Sequence, residues 1–578
     1  MKHKIQSLLR ESLQALVKSG IMPHDALPQT IAVDSPRQEG HGDYSSGVAM
    51  GLARWAKMNP RELASLIRQH IPDSDWISRI EIAGPGFINF FLSDAALSDV
   101  VSDILRDGAA YGTARRDNPE RIMVEFVSAN PTGPLHVGHG RGTAFGDALA
   151  RVLRAAGNTV DTEYYVNDIG RQMDILSVSV WIRYLQLHRQ SPDLPAGAYQ
   201  GEYIIECAKS MDGEVQEQLV RKFQPPSKSE QQSDDDFLTQ WIAAAQDQLA
   251  DRFGFVRQFV RDYMVSVIKD DLASLDVHHD NWFFESQLSA DDQVADAVSL
   301  LERNGYLYER EGATWFRSSH FGDEKDRVMI RSSGQLTYFA SDIAYHLDKF
   351  KRGYNKIINI WGADHHGYVA RMKAALDAAG EDSGRLQILI VQLASLTRAG
   401  QKLSMSTRAG QFVTLRELVD ETGSDAARFF YLLRKCEQHL DFDLSLAKEQ
   451  SADNPVYYIQ YAHARICSVF RQMEKRGVSR FDTEASKHVY QHDSEVALIK
   501  RVAQFPEVIQ SAARSAEPHQ VAYYLRDVAT DFHSFYNRER ILDADEPLRS
   551  SRLAMIDAVR QVLSNGLAVL GVSAPRKM

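Results

Sequence analysis

The run from Ile122 to Gly157, IMVEFVSANPTGPLHVGHGRGTAFGDALARVLRAAG, constrains the fold more than any other part of the chain. Ile122 to Val127 is apolar and rich in β-branched residues, Asn130-Pro131-Thr132-Gly133-Pro134 is turn chemistry, and Ala144, Ala148, Leu149, Val152, Leu153 and Ala156 recur at helical spacing. A second strand-like run, Thr159 to Val166, follows at once. Strand, helix and strand in that order predict a right-handed unit with parallel strands. Such sheets take ligands beyond the carboxyl ends of their strands, where the loop His136-Val137-Gly138-His139 falls. A helix start there offers unpaired N–H groups and a positive dipole end to a phosphate. Two histidines three apart can share a face of the first turn and act as donors to a triphosphate. Gly138, Gly140 and Gly142 read as room for a ligand close to the backbone. On the tetrapeptide alone, a plain glycine-tolerant helix start with two surface histidines is an equal reading.

With 578 residues the chain is long enough for several domains, and 44% apolar with 25% charged residues is ordinary globular composition. No apolar run reaches 18 residues, and MKHKIQSLLRESLQALVKSG is an amphipathic helix pattern unlike a signal peptide, so the cytoplasm is the expected compartment. Cys207, Cys436 and Cys467 stand far apart, without metal or redox spacing. The net charge of −11 argues against a general nucleic-acid coat, but it is uneven. From Ser451 to Met578 there are 17 Lys and Arg against 15 Asp and Glu, which leaves −13 on the first 450 residues.

The whole run around His136 and His139 resembles the HIGH signature of class I aminoacyl-tRNA synthetases, and EFVSANPTGPLHVGH is very similar to the form found in arginyl-tRNA synthetases. The resemblance implies an ATP-dependent arginine–tRNA ligase. Arginine attacks the α-phosphate of ATP to give arginyl-adenylate, and the 3′-terminal ribose of tRNA(Arg) then takes the arginyl group. It also implies that bound tRNA is needed for the first step and that Mg2+ accompanies ATP. The expected architecture is a multidomain α/β chain. A small N-terminal α+β domain (1–112), implied to contact the tRNA elbow, precedes a Rossmann-like catalytic domain (113–412) with a helical insertion at about 175–270. A helical connector (413–450) and an all-helical anticodon-binding domain (451–578) complete it. The GDYSSGVAM, NPRELA and GPGFINFFL runs carry the likeness at the N-terminus. The polar stretch Gln224 to Asp236 reads as a mobile loop. Strands are expected at Val328–Ile330 and Lys356–Trp361, resuming the catalytic sheet, and at Leu386–Gln392.

A guanidinium is a planar fork of donors and calls for carboxylates around it. Asp280 to Glu285 sets an acid among aromatic residues, and Tyr338 and Asp342 lie four apart, on one face if that segment is helical. Taken singly, such acids are more often structural or solvated. Arginyl-tRNA synthetases carry a Trp-x-x-Glu segment and a Tyr-x-x-x-Asp pair, so the resemblance assigns Glu285, Tyr338 and Asp342 to the guanidinium. It assigns Ser128 and Asn130, with Glu125 in support, to the α-amino end. Trp361 to Tyr368 (WGADHHGY) follows a strand-like run, and the family reading places Asp364 and His365 near the adenosine and His366 near the amino acid. A metal there is not expected, since adjacent histidines point apart and no further Cys or His cluster completes a coordination sphere.

The second class I signature departs from its usual form. Gln401 to Gly410, QKLSMSTRAG, has serine and threonine where the KMSKS-type loop has lysines. Met405 and Ser406 remain, as does the Arg408-Ala409-Gly410 end, while Thr132-Gly133-Pro134-Leu135 carries no compensating lysine. Lys402 or Arg408 is the expected source of positive charge for departing pyrophosphate. In the C-terminal part, Tyr458, Tyr461 and Arg465 share a helical face that suits unpaired anticodon bases, although three such residues taken alone more often mark a helix with Tyr at its core boundary. Asp425-Ala426-Ala427-Arg428 resembles the DALR motif that precedes this domain in the family. L-Arginine, ATP and tRNA(Arg) are therefore the expected partners, with no membrane, and a monomer is expected. Two rivals stand beside this reading: a smaller HIGH-type nucleotidyltransferase, and a synthetase-like tRNA-binding or regulatory protein whose altered second loop weakens activation.

Overall fold

Five parallel strands run through the middle of the chain: β1 (Arg121–Glu125), β2 (Thr159–Val166), β3 (Asn281–Phe284), β4 (Lys356–Gly362) and β5 (Leu386–Val391). They lie side by side in the order β5-β4-β1-β2-β3. Helix α1 (Val137–Ala155) joins β1 to β2, α2 (Asp251–Ala273) leads into β3, and α3 (Tyr338–Lys351) leads into β4. Strand order reverses at β1, so a crevice opens between the carboxyl ends of β1 and β4, the usual ligand position in open parallel sheets. The loop into His136 leaves β1, and Asp364 to His366 follow β4. The two unrelated polar segments of the sequence thus meet at one switch point.

The computed structural model describes residues 1–34, 36, 40–211, 216–398, 400–403, 413–478, 490 and 492–578, and at 216, 217 and 290 the backbone alone.

A polar row crosses this otherwise apolar sheet. Asn359 on β4, Glu125 on β1, Glu163 on β2 and Asn281 on β3 are register partners in sequence, so their side chains share a face. Helix α3 covers that face with matching groups. Lys349, fully buried, pairs with Glu125 and donates to Asn359 Oδ1 at 2.9 Å. Arg352, just past the helix, pairs with Glu163, to which Tyr345 also donates at 2.7 Å. Buried charges are costly unless paired and hydrogen-bonded. The row therefore accepts α3 in one register, and that register carries Tyr338 and Asp342 to the carboxyl edge.

Two elements differ from the sequence reading. Arg327–Ile330 is a strand, but it pairs antiparallel with Ala313–Phe316 in a separate three-stranded sheet with Leu307–Arg310. Pattern alone does not say which sheet a short apolar run joins. Asn281–Phe284, read from sequence only as an acid in aromatic surroundings, is the edge strand of the parallel sheet; four residues are too few to show a period. The polar stretch ending at Asp236 is also anchored: Ser233 caps helix Asp234–Leu249, and Arg171 pairs with Asp235 at 2.8 Å.

At the N-terminus, helices Lys2–Lys18, Val48–Ala56 and Pro60–Gln69 pack on an antiparallel sheet of Tyr44–Ser46, Phe87–Leu92 and Ile77–Ala83 around a core of their own. Toward the C-terminus come α4 (Ser424–Tyr431), the strand Leu440–Asp443, and a bundle including α5 (Pro455–Lys475), α6 (His519–Arg538) and α7 (Leu548–Val569). The Asp425 to Arg428 motif is the joint. Asp425 accepts from Ser573 N–H (2.9 Å) and Gln460 (2.7 Å), tying down the C-terminal tail. Arg428, fully buried, pairs with Asp147 of α1 and donates to the Leu275 and Leu570 carbonyls. One guanidinium thus locks the signature helix, the end of the insertion and the C-terminal bundle together.

Candidate active site

His136 is the N-cap of α1, and its Nδ1 accepts the Gly138 N–H at 3.1 Å. His136 N–H in turn donates to His139 Nδ1 at 3.3 Å, and the two rings stack with centroids 3.9 Å apart. A ring nitrogen that accepts a backbone N–H carries no proton, so both imidazoles hold theirs on Nε2. Burial lowers the pKa of His136 and drives that of His139 down to about 3. The pair is therefore neutral across physiological pH, two donors fixed by reciprocal capping at the positive end of a helix.

Two of the three glycines here also serve packing. A Cβ on Gly138 would lie 2.7 Å from the His136 ring, and one on Gly140 2.6 Å from Tyr431, whose hydroxyl donates to the Val137 carbonyl at 2.9 Å. A Cβ on Gly142 would meet nothing within 4 Å. The segment after the second signature is held against the same helix start: Val137 N–H donates to Val413 O (3.2 Å) and Leu415 N–H to Leu135 O (2.8 Å). Met405, Ser406 and Arg408 lie outside the described residues. Lys402 is exposed on a two-residue strand opposite Thr397.

On the other side of the crevice two acids converge. Glu285, 2% exposed, opens the short helix after β3. Its carboxylate takes hydrogen bonds from Tyr165 and Ser341, and the Asn167 amide, turned so that its nitrogen faces the acid, donates to Oε2 at 3.0 Å. Burial nevertheless pushes its pKa up to about 7, and the nearby negative charge of Asp342 adds to the rise. Burial lifts Asp342 to about 6 despite a hydrogen bond from the Tyr368 hydroxyl. Tyr338, one turn before Asp342 on α3, is 64% exposed. A buried acid, Glu285, and a half-buried one, Asp342, both with raised pKa values and hydrogen-bonded among the described residues by neutral donors, with the Arg371 charge near Asp342, favour a positive ligand.

At the end of β1 the backbone is strained. Val127 and Ser128 have φ of 69° and 42°, and a β-branched residue in the left-handed region is an outlier that costs of order 1–3 kcal/mol. The turn is held by Ser128 Oγ donating to Glu125 Oε1 (2.9 Å) and accepting Tyr165 N–H (3.1 Å). Glu125 is thus engaged with Lys349 and Ser128, in a supporting place. Asn130, exposed, donates to Gln172 at 2.7 Å. Asp364, His365 and His366 are exposed on the turn after β4, with Asp364 and His365 3.5 Å apart. Tyr165, Asn167, Asp168, Lys349 and Tyr368 escaped the sequence reading. The first three follow or end a strand at its carboxyl edge, a signal that the position of TVDTEYYVND in the unit could have supplied.

In the C-terminal bundle, Tyr458 and Tyr461 on α5 flank His533 of α6, with centroids 4.6 and 5.8 Å away. Arg465 lies over the Tyr461 ring at 4.6 Å and donates to its hydroxyl at 3.1 Å. The three residues therefore do share a face, as one partly exposed cluster. Among the described residues no helix is long and apolar enough to cross a membrane, and no group of three or more His, Cys, Asp or Glu could hold a metal.

Comparison with known proteins agrees along the whole length. The class I (R) tRNA synthetase catalytic domain matches residues 100–438, the arginyl tRNA synthetase N-terminal domain 3–92 and the DALR anticodon binding domain 459–578. Arginine–tRNA ligases of Thioalkalivibrio sulfidiphilus and Legionella pneumophila are each 49% identical over 587 residues, covering 100% of both chains. The Thermus thermophilus arginyl-tRNA synthetase structure superposes with a TM-score of 0.75 at 23% identity over 100% of both chains, a likeness of fold. The chain belongs to the arginyl-tRNA synthetases, class I aminoacyl-tRNA ligases.

Proposed function

We propose that this chain activates L-arginine with ATP and transfers it to the 3′ end of tRNA(Arg), with the two ends of the amino acid held by different strands. Glu285 and Asp342, with Tyr338 beside them, receive the guanidinium; Ser128, Asn130 and the Glu125 behind them receive the α-amino end; His366 closes over the amino acid. Asp364 and His365 face the adenosine. The Nε2–H groups of His136 and His139 donate to the phosphates and strengthen as charge develops on the attacked α-phosphate. Gly138 lets this histidine pair form. Lys402 or Arg408 meets the departing pyrophosphate, with Met405 and Ser406 in the same loop against the nucleotide. Mg2+ travels on the ATP phosphates, since the groups at the helix start are imidazoles and this hard cation prefers oxygen.

The observation that carries the reading is the pair of neighbouring acids, buried Glu285 and half-buried Asp342, whose pKa values stand raised to about 7 and about 6. A fixed guanidinium cation relieves both, while a neutral analogue leaves them unpaired and is rejected. No separate editing site is needed for such a substrate. Tyr458, Tyr461 and Arg465 offer a stacking and cationic surface to anticodon bases, and the N-terminal domain contacts the tRNA elbow. The protein acts as a monomer in the cytoplasm. ATP–pyrophosphate exchange tests the reading: exchange that requires both arginine and tRNA(Arg) supports it, and tRNA binding without exchange defeats it in favour of a non-catalytic binding protein.

A further inference from the structure

We propose that Asp168 is a positioning residue for substrate specificity: it sets the place and the electrostatic surroundings of Glu285, and the helical insertion holds it there through Arg257 and Arg261. The inference rests on the reading of Glu285 as the acid that meets the guanidinium.

Asp168 lies two residues past β2 and is 4% exposed. Its Oδ1 accepts the Ser286 N–H at 2.9 Å and its Oδ2 the Ser286 hydroxyl at 2.8 Å. Ser286 adjoins Glu285, so these two bonds fix the backbone at the point where the acid leaves β3. From the opposite side Arg261 donates to Asp168 Oδ2 at 3.2 Å, and Arg257 to its main-chain oxygen at 3.4 Å. Both arginines lie on α2, the helix that closes the insertion. That helix also reaches the nucleotide side, where Asp271 Oδ2 accepts the Leu135 N–H at 2.9 Å, one residue before His136. The insertion is therefore tied to the backbone that carries Glu285.

The titratable and charged groups around Glu285 are Tyr165 on β2, Asp168 after it, Asp342 on α3, and Arg261 and Arg257 behind Asp168 on α2. The negative charge of Asp168 is one of the causes that hold the Glu285 pKa up. Asp168 thus acts twice, by orienting the acid and by making it depend on an incoming cation.

The test compares Asp168→Asn, Ser286→Ala and Arg261→Gln with Glu285→Gln in arginine-dependent ATP–pyrophosphate exchange with tRNA(Arg), from pH 6 to 8.5. Asp168→Asn is expected to raise the KM for arginine ~10- to 100-fold, with kcat and the KM for ATP within about threefold. It should also move the midpoint of the arginine KM profile to lower pH, because a like charge is gone. Ser286→Ala and Arg261→Gln should raise the same KM by ~3- to 10-fold. An arginine KM within about twofold of the parent in a folded Asp168→Asn overturns the proposal, as does a rise with an unmoved midpoint, which loosening alone would give. Should Asp168→Asn fail to fold, Ser286→Ala decides, since it removes one hydroxyl and an unchanged KM overturns the proposal. Loss of arginine affinity in Glu285→Gln beside a normal Asp168→Asn overturns this inference alone; a normal Glu285→Gln overturns it together with the reading beneath it.

Discussion

The two walls of the crevice are built on opposite electrostatic plans. The wall proposed to meet the nucleotide presents neutral donors: two imidazoles stacked at 3.9 Å, their protonation settled by reciprocal hydrogen bonds to the backbone. The wall proposed to meet arginine presents two carboxyls shielded from water, with Glu285 at about 7 and Asp342 at about 6. The difference teaches where pH can act. A polyanion can be met by neutral dipoles that need no titration. A cation calls for charge, and charge kept away from water titrates close to neutrality.

The most severe way to break this contrast is to remove the donors and keep the helix. In the double variant His136→Asn/His139→Asn, the asparagine at the N-cap can still cap α1, but neither side chain reaches out with an Nε2–H; exchange should fall by ~10⁴-fold or more. Measured exchange near the parent rate would show that the histidines are a cap and nothing else. Glu285→Gln attacks the other wall, and kcat/KM for arginine should drop by ~100-fold or more with ATP affinity little changed. The same variant has a second readout. Glu285 in the folded protein binds its proton more tightly than an unfolded glutamate, so its contribution to stability is complete below about pH 4.5 and is lost as pH rises through about 7. At pH 8 without arginine, Glu285→Gln should therefore melt higher than the parent, and a lower melting temperature would contradict the burial argument.

Lys402→Ala addresses the altered second loop, and adenylate formation should slow by ~10- to 1000-fold if this exposed lysine meets pyrophosphate. An unchanged exchange rate would move that role to Arg408. The mildest probe needs no mutation. From pH 8 down to pH 6 the KM for arginine should rise, by about tenfold or more, as the two carboxyls protonate, while His139, already neutral, changes nothing at the phosphates. Equal pH dependence of the arginine and ATP constants would erase the contrast between the walls.

Much of this was legible in the chain. The βαβ unit, the two histidines at its helix start, the spacing of Tyr338 and Asp342 and the helical C-terminal part follow from periodicity, turn chemistry and local motifs, which act over a few residues. The strand at Asn281–Phe284 was not, because it is too short to show alternation, and Arg327–Ile330 was given to the wrong sheet because pairing partners are remote in sequence. The Gly140 case is similar: its lack of a side chain serves Tyr431, nearly three hundred residues away, and no local pattern announces that.

By itself, then, the sequence determined which chemistry the chain carries: histidines at a helix start after a strand, acids among aromatic residues that the family resemblance assigns to a guanidinium, and an Asp-to-Arg motif before a helical end. Only the tertiary structure decided what those groups are. It made the histidines neutral donors by closing their hydrogen bonds and made the acids titrate near neutrality by burying them together. It turned Arg428 into a lock between domains, and it brought Lys349 and Asp168, silent in the sequence, in behind Glu125 and Glu285. The physical reason is that burial and charge pairing depend on contacts between segments far apart in the chain, and the protonation state of a side chain follows from those contacts.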